Sequence, residues 1–191
     1  MISEKHPFPP FLPKNAKLLM LGSFPPPEKR WSMDFFYPNP NNDMWRIFGI
    51  IFFCDKNYFL IPSKKIFCKE KIVDFLTQKG IAFYDTAQEI RRLNNNASDK
   101  DLEVIQMTNI RSLFDKIPLC TAVCTAGERA TDIFLQQFQV RSPKISQSIE
   151  FQYNNRLICF YRMPSSSRAY PLKLETKAEI YAKMFEKIGL F

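Results

Sequence analysis

At 191 residues and 46% hydrophobic content, the chain is long enough to bury a large core and reads as globular, not disordered or fibrous. A formal charge of +8 makes an anionic partner the leading expectation, nucleic acid ahead of membrane, although a basic surface that only aids solubility accounts for the same charge. No apolar run reaches the roughly 20 residues of a membrane span, and the five cysteines, lacking CxxC spacing, argue against a disulfide framework or zinc site and for reduced thiols in a cytoplasmic protein.

Residues 1–16 read as an extended arm, because Pro7, Pro9, Pro10 and Pro13 oppose regular structure, and charge and proline interrupt any signal-peptide pattern. The only histidine, His6, lies in this arm, which argues against a Ser-His or Cys-His hydrolase and against a histidine-ligated metal. Residues 17–191 read as one domain. Its organising stretch begins with the unbroken apolar run Leu18 to Leu21, closed by Gly22, the pattern of a strand buried on both faces of a parallel sheet. Pro25, Pro26 and Pro27 then force a surface loop of about twenty residues. Its aromatic content, Phe24, Trp31, Phe35, Phe36 and Tyr37, marks it as ordered.

The spacing of Trp45, Ile47, Phe48, Ile51 and Phe52 predicts a helix from Met44, with Asn42 or Asp43 as its N-cap. Residues 55–66 carry no clear pattern. A helix over Lys69 to Lys79 stops at Gly80, and a second apolar strand runs from Ile81 to Tyr84. The polar stretch RRLNNNASDKDLE, with Arg91, Arg92 and Lys100, reads as a surface loop meeting solvent or phosphate. Next come a helix over Asn109 to Lys116, a strand over Cys120 to Thr125 and a helix over Glu128 to Phe138. Ile149 to Tyr153 and Leu157 to Tyr161 flank Asn154-Asn155 as a tight hairpin. A last helix, from about Leu172 to Ile188, carries an apolar stripe of Leu174, Ala178, Tyr181, Phe185 and Ile188. Strands alternating with helices imply an α/β sandwich around a mainly parallel sheet.

Two strands each run into a polar, proline-bearing loop: Gly22-Ser23-Phe24-Pro25 and Met163-Pro164-Ser165-Ser166-Ser167-Arg168. Neither has the glycines of a phosphate-binding motif. They supply amide and hydroxyl hydrogen bonders, aromatic faces and one guanidinium, which suits a planar polar ring stacked and read along its edge beside a phosphate chain. Ordinary strand-to-helix turns with serines bonded to their own backbone are the plainer reading of the second loop.

The pair of loops resembles the uracil-DNA glycosylase superfamily, most closely its mismatch-specific and hypoxanthine-DNA glycosylase branches. The resemblance rests on Leu21-Gly22-Ser23-Phe24-Pro25, Tyr37, the box Asn39-Pro40-Asn41-Asn42-Asp43-Met44-Trp45, the segment Met163-Pro164-Ser165-Ser166-Ser167 and the strand Gly80-Ile81-Ala82-Phe83-Tyr84-Asp85. It implies a three-layer sandwich with a four-stranded parallel sheet and hydrolysis of the N-glycosidic bond of a deaminated base, uracil or hypoxanthine, flipped out of double-stranded DNA in base excision repair. By that pattern Tyr37 stacks on the base, and the Ser23 and Phe24 amides, between Gly22 and Pro25, line its edge. Asn42 binds the base or holds the attacking water, Ser165, Ser166 and Ser167 grip phosphates, and Arg168 enters the duplex or pairs with the opposite strand. A monomer without cofactor or metal, working at the nucleoid, is the expectation.

The sequence also departs from the pattern. Phe24 stands where the uracil-specific branches have an acidic residue or asparagine to orient water, and Asn39 replaces the box histidine. Three outcomes follow: catalysis through Asn42 and stabilisation of the leaving base, a water held by Asp43, or a relative that binds damaged or single-stranded nucleic acid without cutting it. Asp43 is equally well read as a plain helix cap. A small-molecule α/β enzyme is disfavoured by the basic charge and the missing nucleotide-binding glycine loop.

Overall fold

The computed structural model describes residues 3–64, 66–93 and 101–191. In chain order the elements are β1 (Glu4–Lys5), β2 (Leu18–Gly22), a 3-10 turn (Glu28–Arg30), α1 (Met44–Phe53), β3 (Leu60–Ile61), β4 (Ile66–Phe67), α2 (Lys69–Lys79) and β5 (Ile81–Asp85). After these come β6 (Ala87–Arg92), β7 (Leu102–Met107), α3 (Ile110–Lys116), β8 (Ala122–Ala126), α4 (Glu128–Phe138), β9 (Gln147–Tyr153), β10 (Arg156–Met163) and α5 (Leu174–Lys187).

The central sheet has the order β5-β2-β8-β10-β9. Its first four strands are mutually parallel, and β9 joins antiparallel to β10 through the Asn154 turn, where φ is 51°. The sheet is therefore five-stranded where the resemblance implies four, because the hairpin adds a strand at the β10 edge.

Register assigns the layers. Phe83, Met20, Cys124 and Tyr161 form one row across the parallel strands, and Ala82, Leu19, Val123 and Phe160 form the next, so the two rows face opposite sides. Phe83 meets Trp45 and Phe48 of α1, and Phe48 meets Phe185 of α5 at 5.2 Å between rings. On the other side Phe160 stacks on Phe134 of α4 at 4.3 Å. Helices thus cover both faces, as a parallel sheet requires. Nearly all of this core is apolar, and each fully buried phenylalanine contributes about 1.5–3 kcal/mol.

The region around Arg91 differs from its reading as a loop. Arg91 and Arg92 belong to β6, which pairs with β1 and β7 in a small separate sheet. Arg92 donates to Glu4 at 2.9 Å and to the Pro25 carbonyl at 2.7 Å, and Arg91 pairs with Glu103. Leu102 and Glu103 of that predicted loop open β7, and residues 94–100, Lys100 included, lie outside the described residues. In the stretch without a clear pattern, β3 pairs antiparallel with β4. The N-terminal arm is extended but packed: Phe8 is buried, and Phe11 forms a bridge with Phe83.

Candidate functional site

Four parallel strands end along one edge, at Gly22, Asp85, Ala126 and Met163. Carboxyl ends of this kind are where open α/β sheets bind ligands. Here the loops after β2 and β10 enclose a cleft of about 750 Å³. Of the residues singled out from the sequence, Gly22, Ser23, Phe24, Pro25, Tyr37, Asn39, Asn42, Ser165, Ser166 and Ser167 all line it. Asp43 and Arg168 do not; their side chains are paired with one another.

The two loops are bonded directly. The Asp43 amide donates to the Ser166 carbonyl at 2.9 Å, and Asn42 and Ser167 form a β-bridge. The Asp43 carboxylate accepts from Arg168 Nε at 3.0 Å through Oδ1 and from Lys177 Nζ at 3.1 Å through Oδ2. Lys177 also donates to the Ser167 carbonyl at 2.7 Å, and Tyr181 of the same helix donates to the Pro164 carbonyl at 2.8 Å. Burial pushes the Tyr181 phenol well above its ordinary range, so it stays a donor. Helix α5 is therefore what places the serine segment.

Asp43 occupies the N-cap position of α1 but its side chain caps nothing. That work falls to Asn42, whose Oδ1 accepts from the Met44 amide at 2.9 Å. With Oδ1 held, Asn42 has its Nδ2 group left to donate. Asn39 is fixed similarly, accepting from the Asn41 amide at 2.9 Å. Tyr37 stands at φ 50° with its ring edge-on to Trp45 and Phe83. Its hydroxyl and Asp85 Oδ1 crowd the Cα of Gly22 so closely that a Cβ there would overlap the carboxylate oxygen. Phe24 belongs to a small buried cluster with Ala87, Ile90, Leu102 and Ile133, with the Arg92 guanidinium over its ring.

Ser165 Oγ accepts from the Ser167 amide and Ser167 Oγ from the Ala169 amide, both at 3.2 Å. These bonds are the backbone-satisfying turns of the plainer reading, and each hydroxyl still keeps its own proton to donate. Asp85 and His6 were not singled out from the sequence as site groups. Asp85 lines the cleft, and His6 bonds Asp85 from the arm at 2.9 Å. Asp85 follows an apolar strand just as Gly22 does, which is a signal for it. His6 lies 79 positions away in sequence and left no signal. Among the described residues, no group of three or more His, Cys, Asp or Glu side chains could hold a metal ion, and no helix is long and apolar enough to cross a membrane.

Fold and site together define a three-layer α/β protein with a cleft of about 750 Å³ at the ends of its parallel strands. Among solved structures the chain matches the solution NMR structure of "a putative Uracil DNA glycosylase from Methanosarcina acetivorans", with a TM-score of 0.64 and 20% identity over 98% of this chain and 99% of that one. The likeness is one of fold across the full length of both. No family model matches the sequence, and a search of curated proteins found no match.

Proposed function

We propose that this protein is a monofunctional DNA glycosylase that removes a deaminated base, uracil or hypoxanthine, from double-stranded DNA. The observation that carries this reading is the convergence of the Gly22–Asn42 loop and the Ser165–Ser167 segment on one cleft, cross-bonded through Asp43 and Ser166. The fold shared with the glycosylase-named structure supports it.

In this reading the damaged nucleotide leaves the stack, because its anomeric carbon is out of reach inside a duplex. Tyr37 supplies a stacking face, the Ser23 and Phe24 amides meet the base edge, and the serine hydroxyls donate to flanking phosphates. Water adds its oxygen to the anomeric carbon while the N-glycosidic bond breaks and its electron pair leaves with the base; one proton of the water stays on the new sugar hydroxyl and the other ends on the departed base. Donors aimed at the base oxygens stabilise that developing anion in a dry cleft, so no strong base is required. Asn42 Nδ2, left to donate by the Met44 cap, is the side-chain donor assigned to that anion or to the water. Asp43 is assigned the tie between the loops in place of the water, since both its oxygens are already taken. Incubation with duplexes carrying uracil, hypoxanthine or xanthine, followed by alkali, tests the reading. Strand breaks at the modified position support it, and tight binding without breaks favours a non-cutting relative.

A further inference from the structure

The lining of the cleft carries one lysine or arginine among the described residues, and its charge is uncommitted. Arg30 lines the cleft, is exposed, and has no hydrogen-bond or ion-pair partner for its guanidinium among the described residues. The turn that carries it is fixed. Pro25, Pro26 and Pro27 lead into it, the Arg30 amide donates to the Pro27 carbonyl and the Trp31 amide to the Glu28 carbonyl, both at 2.9 Å. The Trp31 indole donates to the Pro26 carbonyl at 2.7 Å, and its ring packs on Phe8 of the arm with centroids 4.9 Å apart. A guanidinium held out from such a turn meets a ligand with little backbone left to order.

The neighbouring carboxylates leave it free. Asp85 is bonded to His6, and Glu28 of the same turn forms no ion pair with Arg30. Glu128, the other carboxylate lining the cleft, follows Gly127, where a Cβ would lie 3.5 Å from that of Ser165, so it stands on the serine side. A free guanidinium fork matches an anion with two accepting oxygens. In a deaminated nucleotide the base is neutral until its bond breaks, whereas the phosphodiester is charged throughout. Resting on the glycosylase reading above, we propose that Arg30 binds a phosphodiester of the target strand from the β2 side of the cleft, across the flipped nucleotide from the linkages held by Ser165, Ser166 and Ser167.

The test is a scan of methylphosphonates, each removing the charge of one linkage in the target strand. The duplex carries uracil or hypoxanthine on a fluorinated sugar, which slows cleavage of the N-glycosidic bond. Wild-type protein should bind about tenfold more weakly when one particular linkage beside the flipped nucleotide is neutral. Arg30→Ala should bind the fully charged duplex about tenfold more weakly and lose its sensitivity at that linkage alone, keeping it at the serine-held linkages. The substitution removes no hydrogen bond or ion pair among the described residues, and an unchanged melting temperature confirms the fold. A wild-type sensitivity profile in Arg30→Ala, or a loss spread evenly over all linkages, overturns the assignment. Bases left intact in duplexes with ordinary sugars would remove the glycosylase reading, while a loss confined to one linkage would still establish the Arg30 contact.

Discussion

Lys177 Nζ lies 3.1 Å from Asp43 Oδ2 with its side chain wholly buried, joining positions 134 apart in sequence. The contact clamps α5 to the loop that follows β2, and the same ammonium reaches the Ser167 carbonyl. One buried cation thereby sets the spacing between both walls of the cleft.

Breaking such a pair leaves a buried carboxylate short of a partner. Lys177→Met should destabilise the fold by about 3 kcal/mol, measured by urea denaturation. Adding Asp43→Asn should cost less than the sum of the two single changes, since the pair shares one interaction.

Asn42→Ala should lower single-turnover excision about 10²- to 10³-fold while leaving duplex affinity nearly unchanged. Loss of the Met44 cap adds about 1 kcal/mol of destabilisation, so thermal melting separates the two effects. Wild-type rates would remove Asn42 from the chemistry.

Arg168 is 46% exposed and tethered to Asp43 and Asn41, at the rim and not within the cleft. Arg168→Ala should weaken duplex binding and reduce the slope of log affinity against log salt by about 1. An unchanged slope in a salt titration would place the guanidinium away from phosphate.

Gly22→Ala puts a methyl group into the space held by Asp85 Oδ1 and 3.0 Å from the Tyr37 hydroxyl. Either the carboxylate or the tyrosine must move. Excision should fall at least about 10²-fold, while binding of undamaged duplex, which does not use the floor, stays near wild type.

Alkali should destabilise the protein from about pH 9. Burial pushes the Cys120 thiol from 9.0 up to about 12, and pushes Cys124 upward as well. Above pH 9 the unfolded chain releases these protons and the folded chain keeps them, so unfolding releases protons. The stability present below pH 9 is then lost as pH rises toward the folded values. Melting temperatures between pH 7 and 11 should fall less steeply in a Cys120→Ala/Cys124→Ala variant.

Much of the scaffold was legible because burial on both faces writes itself into sequence. Leu18–Gly22 and Ile81–Asp85 are wholly buried strands and read as unbroken apolar runs. Asn154 turned the β9–β10 hairpin where a positive φ was needed. The β6–β7 sheet was not legible, since Ala87–Arg92 is polar at four of its six positions and borrows order from Glu4 and Pro25 far away. In the site, the lining loops were readable from residue chemistry. The ties behind them, His6 to Asp85 and Lys177 to Asp43, are long-range contacts between single polar groups and leave no periodicity to read.

Release of free base from a duplex is the most direct measurement. The protein, incubated in excess with duplexes bearing uracil or hypoxanthine, should liberate one of these bases stoichiometrically, detectable by mass spectrometry, and leave an abasic strand that breaks only on alkali treatment. Saturated binding of the same duplexes with no base released would contradict the central claim that the two loops form a base-excising cleft.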